Sequence, residues 1–200
     1  MPAPPSPQTR NSNGLDQFFA SIQGSSGLSI LDLSGASQAN ITFITNLGHR
    51  LYSDDIVRSL DDAFGGGGDF YENQNDGARA DAFLAQTLDF PEQSLDGALV
   101  WDTLQFLSGP LLQNAVDRLA RILRPNAYLL AFFTSDEKSP QIPLYSYRIV
   151  DSRTLSLAAR GQRRPAQFFN NRSIEKLFQK FSSVKFFLTR DSLREIIVRR

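Results

Sequence analysis

Cysteine is absent from this 200-residue chain, and histidine occurs once, at position 49. Without thiols there is no disulfide framework, thiolate nucleophile or Cys-based zinc site, and a lone imidazole cannot build a His-rich metal centre. His49 follows Gly48 at the expected start of a strand. It reads as a surface or strand-edge residue rather than a general base, being far along the chain from any exposed nucleophile turn. Long apolar runs are missing too, and the first residues lack the basic and apolar stretches of a secretory signal. The resulting expectation is a cytoplasmic protein with no membrane span.

Net charge is a third absence, since 21 basic residues balance 21 acidic ones. The balance is uneven along the chain: thirteen Lys and Arg but only four Asp and Glu lie from Arg148 onward. An acidic front and a basic back can attract each other, within the fold or between molecules, so the basic C-terminal part is a candidate surface for a protein partner. Within it, residues 159–172 combine Arg160, Arg163, Arg164 and Arg172 with Phe168 and Phe169, a mixture able to contact phosphates and stack on bases. A solvated loop over a pocket, or a patch against an acidic surface, is preferred to nucleic acid. The whole chain is neutral and carries no recognised nucleic-acid motif.

What is present has the pattern of one α/β domain, because this length with 41% hydrophobic residues supports one substantial core. Residues 1–13 read MPAPPSPQTRNSN and offer no large apolar side chain after Met1, so 1–14 are expected to form a disordered tail before a domain at 15–200. Residues 28–33, LSILDL, read as a buried strand feeding the small-residue turn Ser34-Gly35-Ala36-Ser37. Ile41, Ile44 and Leu47 at helical spacing, with Gly48 to stop them, predict a helix over 37–47. A second strand follows at 49–53, and Asp54 and Asp55 at its carboxyl end can start a helix holding Ile56, Val57 and Leu60. The four glycines 65–68 read as a flexible connector, lacking the Lys and Ser/Thr of a phosphate loop. The polar DFYENQNDG after them reads as an exposed loop, and 78–88 as a helix, or in part a strand.

Farther on, 95–101 (LDGALVW) is a strand, 110–124 a helix with Leu112, Val116, Leu119 and Leu123 on one stripe, and 127–133 (AYLLAFF) a strand covered on both faces. Strand, helix, strand implies a right-handed parallel crossover. One or two strands are expected within 145–157, then an Arg-rich insertion at 159–172. Ser173 is expected to cap a helix carrying Ile174, Leu177, Phe178 and Phe181, before a terminal antiparallel hairpin of 184–188 and 194–198.

This order, with LDFPEQSLDGALVWDTLQFL, a helix ending RLARILRPN and the strand AYLLAFF, resembles the class I S-adenosylmethionine-dependent methyltransferases of the methyltransferase type 11-like group. In that family a Leu-Pro-Phe-like turn precedes the fourth strand, and a helix ending in an Arg-Pro-Gly-like turn, where Asn126 stands here, precedes the fifth. The resemblance covers about residues 15–200. It implies a doubly wound, mostly parallel seven-stranded sheet with a C-terminal antiparallel hairpin, S-adenosylmethionine as cofactor, and a small-molecule or protein methyl acceptor. It further implies Asp32 as the acidic residue opening the cofactor loop, Asp54 or Asp55 as the ribose contact, and Asp102, after Trp101, on the methionine and substrate side. Trp101 and Phe106 read as core or pocket-wall residues in preference to a substrate-stacking box.

Laid on Asp32, the family's glycine-rich pattern puts Ser34, Ala36 and Gln38 at the three glycine positions, with Gly35 one place out of register. Each replacement restricts positive φ at about 1 to 3 kcal/mol per strained site, which predicts weak or no cofactor binding unless Gly35 makes the close approach. The readings in order are therefore a methyltransferase, a catalytically silent partner-binding or scaffold module of the same fold, and a nicotinamide dehydrogenase. The last is disfavoured by the missing glycine fingerprint and by the hairpin.

Overall fold

In the computed structural model, which describes residues 7–187, 189 and 191–200, the central strands send alternate side chains to opposite faces. On β4 (Leu95–Trp101) Ala98 and Val100 point one way and Leu99 and Trp101 the other; on β5 (Leu123–Thr134) Leu129, Ala131 and Phe133 oppose Leu130 and Phe132. Both sets are buried, as the continuous apolar runs require. With β2 (Ser29–Asp32) and β3 (Arg50–Ser53) these strands are parallel, and the hairpin β8 (Ser183–Phe187) and β9 (Leu193–Arg199) adds antiparallel to β5. The order is β3-β2-β4-β5-β9-β8. The expected hairpin end at Leu188 and turn residue Arg190 lie outside the described residues.

One face packs on α3 (Ile56–Phe64), α5 (Gly77–Thr87), α6 (Gly109–Ile122) and α7 (Asn171–Leu177); the other on α1 (Asn13–Ile22) and α2 (Gln38–Asn46). That second face is completed by a small antiparallel sheet in the order β1-β7-β6, made of β1 (Gln8–Asn11), β6 (Ile142–Asp151) and β7 (Thr154–Arg163).

Several expectations are corrected. The main sheet has six strands among the described residues, not seven. The stretch between β3 and β4 is helical because GARADAFLAQT favours a helix and the Asp76 carboxylate caps it on the Ala78 and Arg79 N–H groups. The chain joins the fold by Gln8, not residue 15: β1 pairs with β7, and Ser12 caps α1. Composition missed this because the anchors are polar. The polar loop after the glycines contains a helical turn, α4 (Phe70–Asn73), whose Phe70 is buried. Residues 159–163 continue β7 instead of opening an insertion. Asn170, not Ser173, caps α7, which ends before the buried Phe178 and Phe181. His49, expected at the surface or a strand edge, directly precedes the edge strand β3 but is only 5% exposed, lining a cleft with Phe19 and Phe43. Asn126 adopts φ 67, the glycine-like turn that its sequence position calls for.

Candidate functional site

The carboxyl ends of the parallel strands are where doubly wound sheets hold ligands. There β2 delivers Asp32, fully buried, into the turn Ser34–Ser37. One of its oxygens accepts hydrogen bonds from Ser34 N (3.0 Å), Ser34 Oγ (2.8 Å) and the Trp101 indole (2.7 Å), and the other from Asn40 Nδ2 (2.7 Å). Burial holds its pKa above the ordinary carboxylate value, against the lowering effect of those donors. Within the loop, positive φ is confined to Gly35 (φ 92). A Cβ at Gly35 would sit 3.2 Å from the Asp55 Cβ, so the close approach that glycine permits here is to Asp55. Ser34 and Asp55 also form an isolated antiparallel bridge.

The small sheet covers this loop. Tyr147 of β6 stacks on Trp101, ring centroids 4.7 Å apart and planes 7° from parallel. Trp101 itself has φ 57, an unusual angle for a bulky residue, and that turn aims the indole at Asp32. Asn40, buried on α2, serves both parties: besides Asp32, its amide donates to Tyr147 O (3.0 Å) and accepts from Ile149 N (2.7 Å). It thereby extends the β6 backbone pairing with a side chain.

The remaining predicted residues separate. Asp55 caps α3 on Arg58 N and takes both guanidinium nitrogens of Arg160 from β7, at 2.5 and 2.9 Å. Burial would raise its pKa, but Arg160 outweighs that and holds the carboxyl below its ordinary value. Asp54 instead meets Ser59 and lines a cleft at the edge of the sheet with Ser53, Thr87 and Phe90. Asp102 lies on the far side of Tyr147, 4% exposed, where burial pushes its pKa up to about 7. It lines a cavity of about 200 Å³ with Arg10, Gln105 and Tyr145. Phe106 is fully buried in the core. Thus Asp32, Ser34, Gly35 and Asp55 meet, joined by the Asp54 backbone, while the side chains of Asp54 and Asp102 stand apart.

Between the loop 34–39 and β6–β7 runs a cleft of about 630 Å³, lined also by Asp55, Arg58, Arg148 and Arg160. A larger cleft of about 960 Å³ lies at the amino ends of the strands, beside Arg121 and Arg200, away from this loop. Sequence reasoning missed Asn40 and Tyr147. Tyr145-Ser146-Tyr147 does alternate as a half-buried strand should, but nothing local identifies Trp101 as its partner. No helix among the described residues is long and apolar enough to cross a membrane.

Against solved structures, the chain is similar to an S-adenosylmethionine-dependent methyltransferase of Archaeoglobus fulgidus. The match covers 93% of this chain and 91% of the other, at 10% identity and TM-score 0.54. The chain has the class I methyltransferase fold. A second methyltransferase, from Methanosarcina mazei, matches over 88% of this chain and 93% of its own at 13% identity and TM-score 0.50. No family model matches the sequence, and neither does any curated protein. At such identities the methyltransferase likeness extends to the fold alone.

Proposed function

We propose that this protein is a methyltransferase-fold binding module that does not transfer methyl groups from S-adenosylmethionine. The observation that carries the reading is the closed hydrogen-bond set of Asp32, whose two oxygens accept from Ser34, Trp101 and Asn40 while Asn40 also pairs with the β6 backbone. Asp55 is equally engaged, by Arg160 and by the α3 N-terminus. The residues therefore do not fit the cofactor. A ligand hydroxyl or ammonium group arriving here must displace a buried, charge-assisted bond at about 1.5–3 kcal/mol each, with no glycine at Ser34, Ala36 or Gln38 to bring the backbone nearer.

A second reading, methyl transfer to a small-molecule or protein acceptor, rests on the open cleft beside the same loop. Calorimetric titration with S-adenosylmethionine and S-adenosylhomocysteine separates the two. The binding-module reading expects dissociation constants weaker than about 1 mM for both, in the wild type and in Gly35→Val; micromolar binding by the wild type, lost in Gly35→Val, would establish the enzyme reading instead.

A further inference from the structure

The cleft over the altered loop has the wrong charge for a sulfonium cofactor and a suitable one for an oxyanion. Three arginines line it, Arg58 on α3, Arg148 on β6 and Arg160 on β7. Its one acidic lining residue is already matched. Asp55 answers Arg160 bidentately, while Asp32 is no lining residue but lies buried beneath, its oxygens bonded by neutral donors. Arg58 forms an ion pair only with Asp62 among the described residues, at 3.9 Å with both side chains more than three-quarters exposed, and acts on Asp55 as the last and smallest of the influences on that carboxyl, so neither contact neutralises it. Arg148 is exposed and makes no ion pair among the described residues. Among the lining residues the excess is thus two positive charges, three arginines against Asp55, across a concavity of about 630 Å³, a size at which small ligands are held.

We propose that this cleft binds a small molecule carrying a terminal phosphate or diphosphate, with Arg148 and Arg58 as its charge contacts. The planar fork of an arginine matches phosphate oxygens in pairs, and two arginines from different elements lining one cleft suit a group with several acceptor oxygens better than a single carboxylate. The amino end of α2 opens on the same cleft: its capping residue Ser37 makes no side-chain cap, so the first-turn N–H groups add a favourable partial charge to what the arginines provide. The small sheet that closes over Asp32 is the element that brings Arg148 and Arg160 here. The closure of the cofactor loop and the change of the cleft's sign therefore have one cause.

The inference rests on the binding-module reading and is tested so that the two fail separately. The full chain is titrated with inorganic pyrophosphate in low salt and then in about 0.5 M salt, where exposed charge contacts are largely screened. Saturable one-site binding is expected, weakened about tenfold or more in Arg148→Glu and in Arg58→Glu and likewise by the added salt. Both arginines are exposed, so unchanged melting temperatures should accompany the loss. Arg121→Glu, in the larger cleft at the other end of the sheet, should bind as the wild type does. Absence of saturable pyrophosphate binding would overturn the proposal, as would binding indifferent to Arg148 and Arg58, or binding confined to polynucleotides. Silence toward both pyrophosphate and S-adenosylmethionine removes this proposal and leaves the module reading; micromolar S-adenosylmethionine with silent pyrophosphate removes both.

Discussion

On one face of the central sheet Leu60, Phe83, Leu112 and Leu119 from the helices pack against Leu31, Val100 and Leu129. On the other face Trp101, Tyr147 and Ile197 share the interior with Asp32, Asn40 and Glu195, all less than 1% exposed except Tyr147 and Ile197. The first face is stabilised by removing apolar area from water, which is non-directional and tolerates many sequences. The second combines apolar burial with polar groups that need particular partners, and a half-satisfied set of those is worse than none. The polar face is also the one that covers the loop 34–37. The hydrogen bonds that tie up Asp32 are thus part of the same polar set that holds the small sheet in place.

The sharpest way to break that comparison is at Glu195. Its carboxylate, fully buried, accepts from the Arg10 guanidinium (2.6 Å), Ser12 Oγ (3.0 Å) and Gly14 N (2.7 Å), tying the start of the fold to its last strand. Glu195→Ala leaves the arginine, whose side chain is only 9% exposed, to Asp191 alone, and should lower stability by about 3–5 kcal/mol. Leu119→Ala on the apolar face should fall in the ordinary range of about 2–5 kcal/mol. Urea unfolding of both checks this. If Glu195→Ala lost less than about 1 kcal/mol, the polar face would be ornament over an apolar core.

The same contrast governs how much the sequence revealed. Central strands, parallel crossovers and the terminal hairpin follow from apolar periodicity, a local signal that needs no knowledge of partners. Asn126 and Gly48 were legible because a turn demands positive φ, which both adopt. The polar pairings join residues far apart in the chain: Asp32 to Trp101, Asn40 to Ile149, Arg10 to Glu195. None leaves a spacing to read. The tail was misjudged for that reason, since Arg10 and Ser12 anchor it where an apolar residue would have been noticed. The uneven charge was informative in outline: Arg160, Arg163 and Lys180 from the basic back reach Asp55, Asp61 and Asp117 from the acidic front.

A second measurement sharpens the comparison through pH. Burial pushes Asp102 up to about 7 from an ordinary 3.8, with Tyr147, Tyr145 and Arg160 the ionisable groups nearest to it in effect. The folded state therefore holds a proton that the unfolded state releases between those two values. Folding is opposed progressively as pH rises through this window, reaching up to roughly 4 kcal/mol above pH 7, and is unaffected by this group below pH 3.8. Asp102→Asn carries no such proton. Its stability minus that of the wild type should grow from pH 4 to pH 8, with all other titrating groups common to both proteins. A difference that stays constant over that range would show that Asp102 ionises as an ordinary surface carboxylate.

The smallest expected effect tests what the Trp101–Tyr147 stack is for. The Tyr147 ring is 1% exposed and contributes through packing on Trp101 and Phe132, yet its hydroxyl is buried without a hydrogen-bond partner. It faces Asp102 with unequal effect: burial and the nearby carboxyl push the phenol well above its ordinary value, while the phenol O–H eases the ionisation of Asp102 against the larger effect of burial. Deleting an unsatisfied buried hydroxyl while keeping the ring removes a desolvation cost without opening a cavity. Tyr147→Phe should accordingly shift stability by less than about 1 kcal/mol at pH 5, where Asp102 is protonated, and toward the stable side. At pH 8 the phenol O–H is the nearest donor to an ionised Asp102, so the variant's advantage should shrink as that carboxyl loses its proton. Urea midpoints at the two pH values read both effects in one pair of proteins. A loss of several kcal/mol already at pH 5 would mean that the hydroxyl, and not the stacked ring, holds the small sheet on the loop.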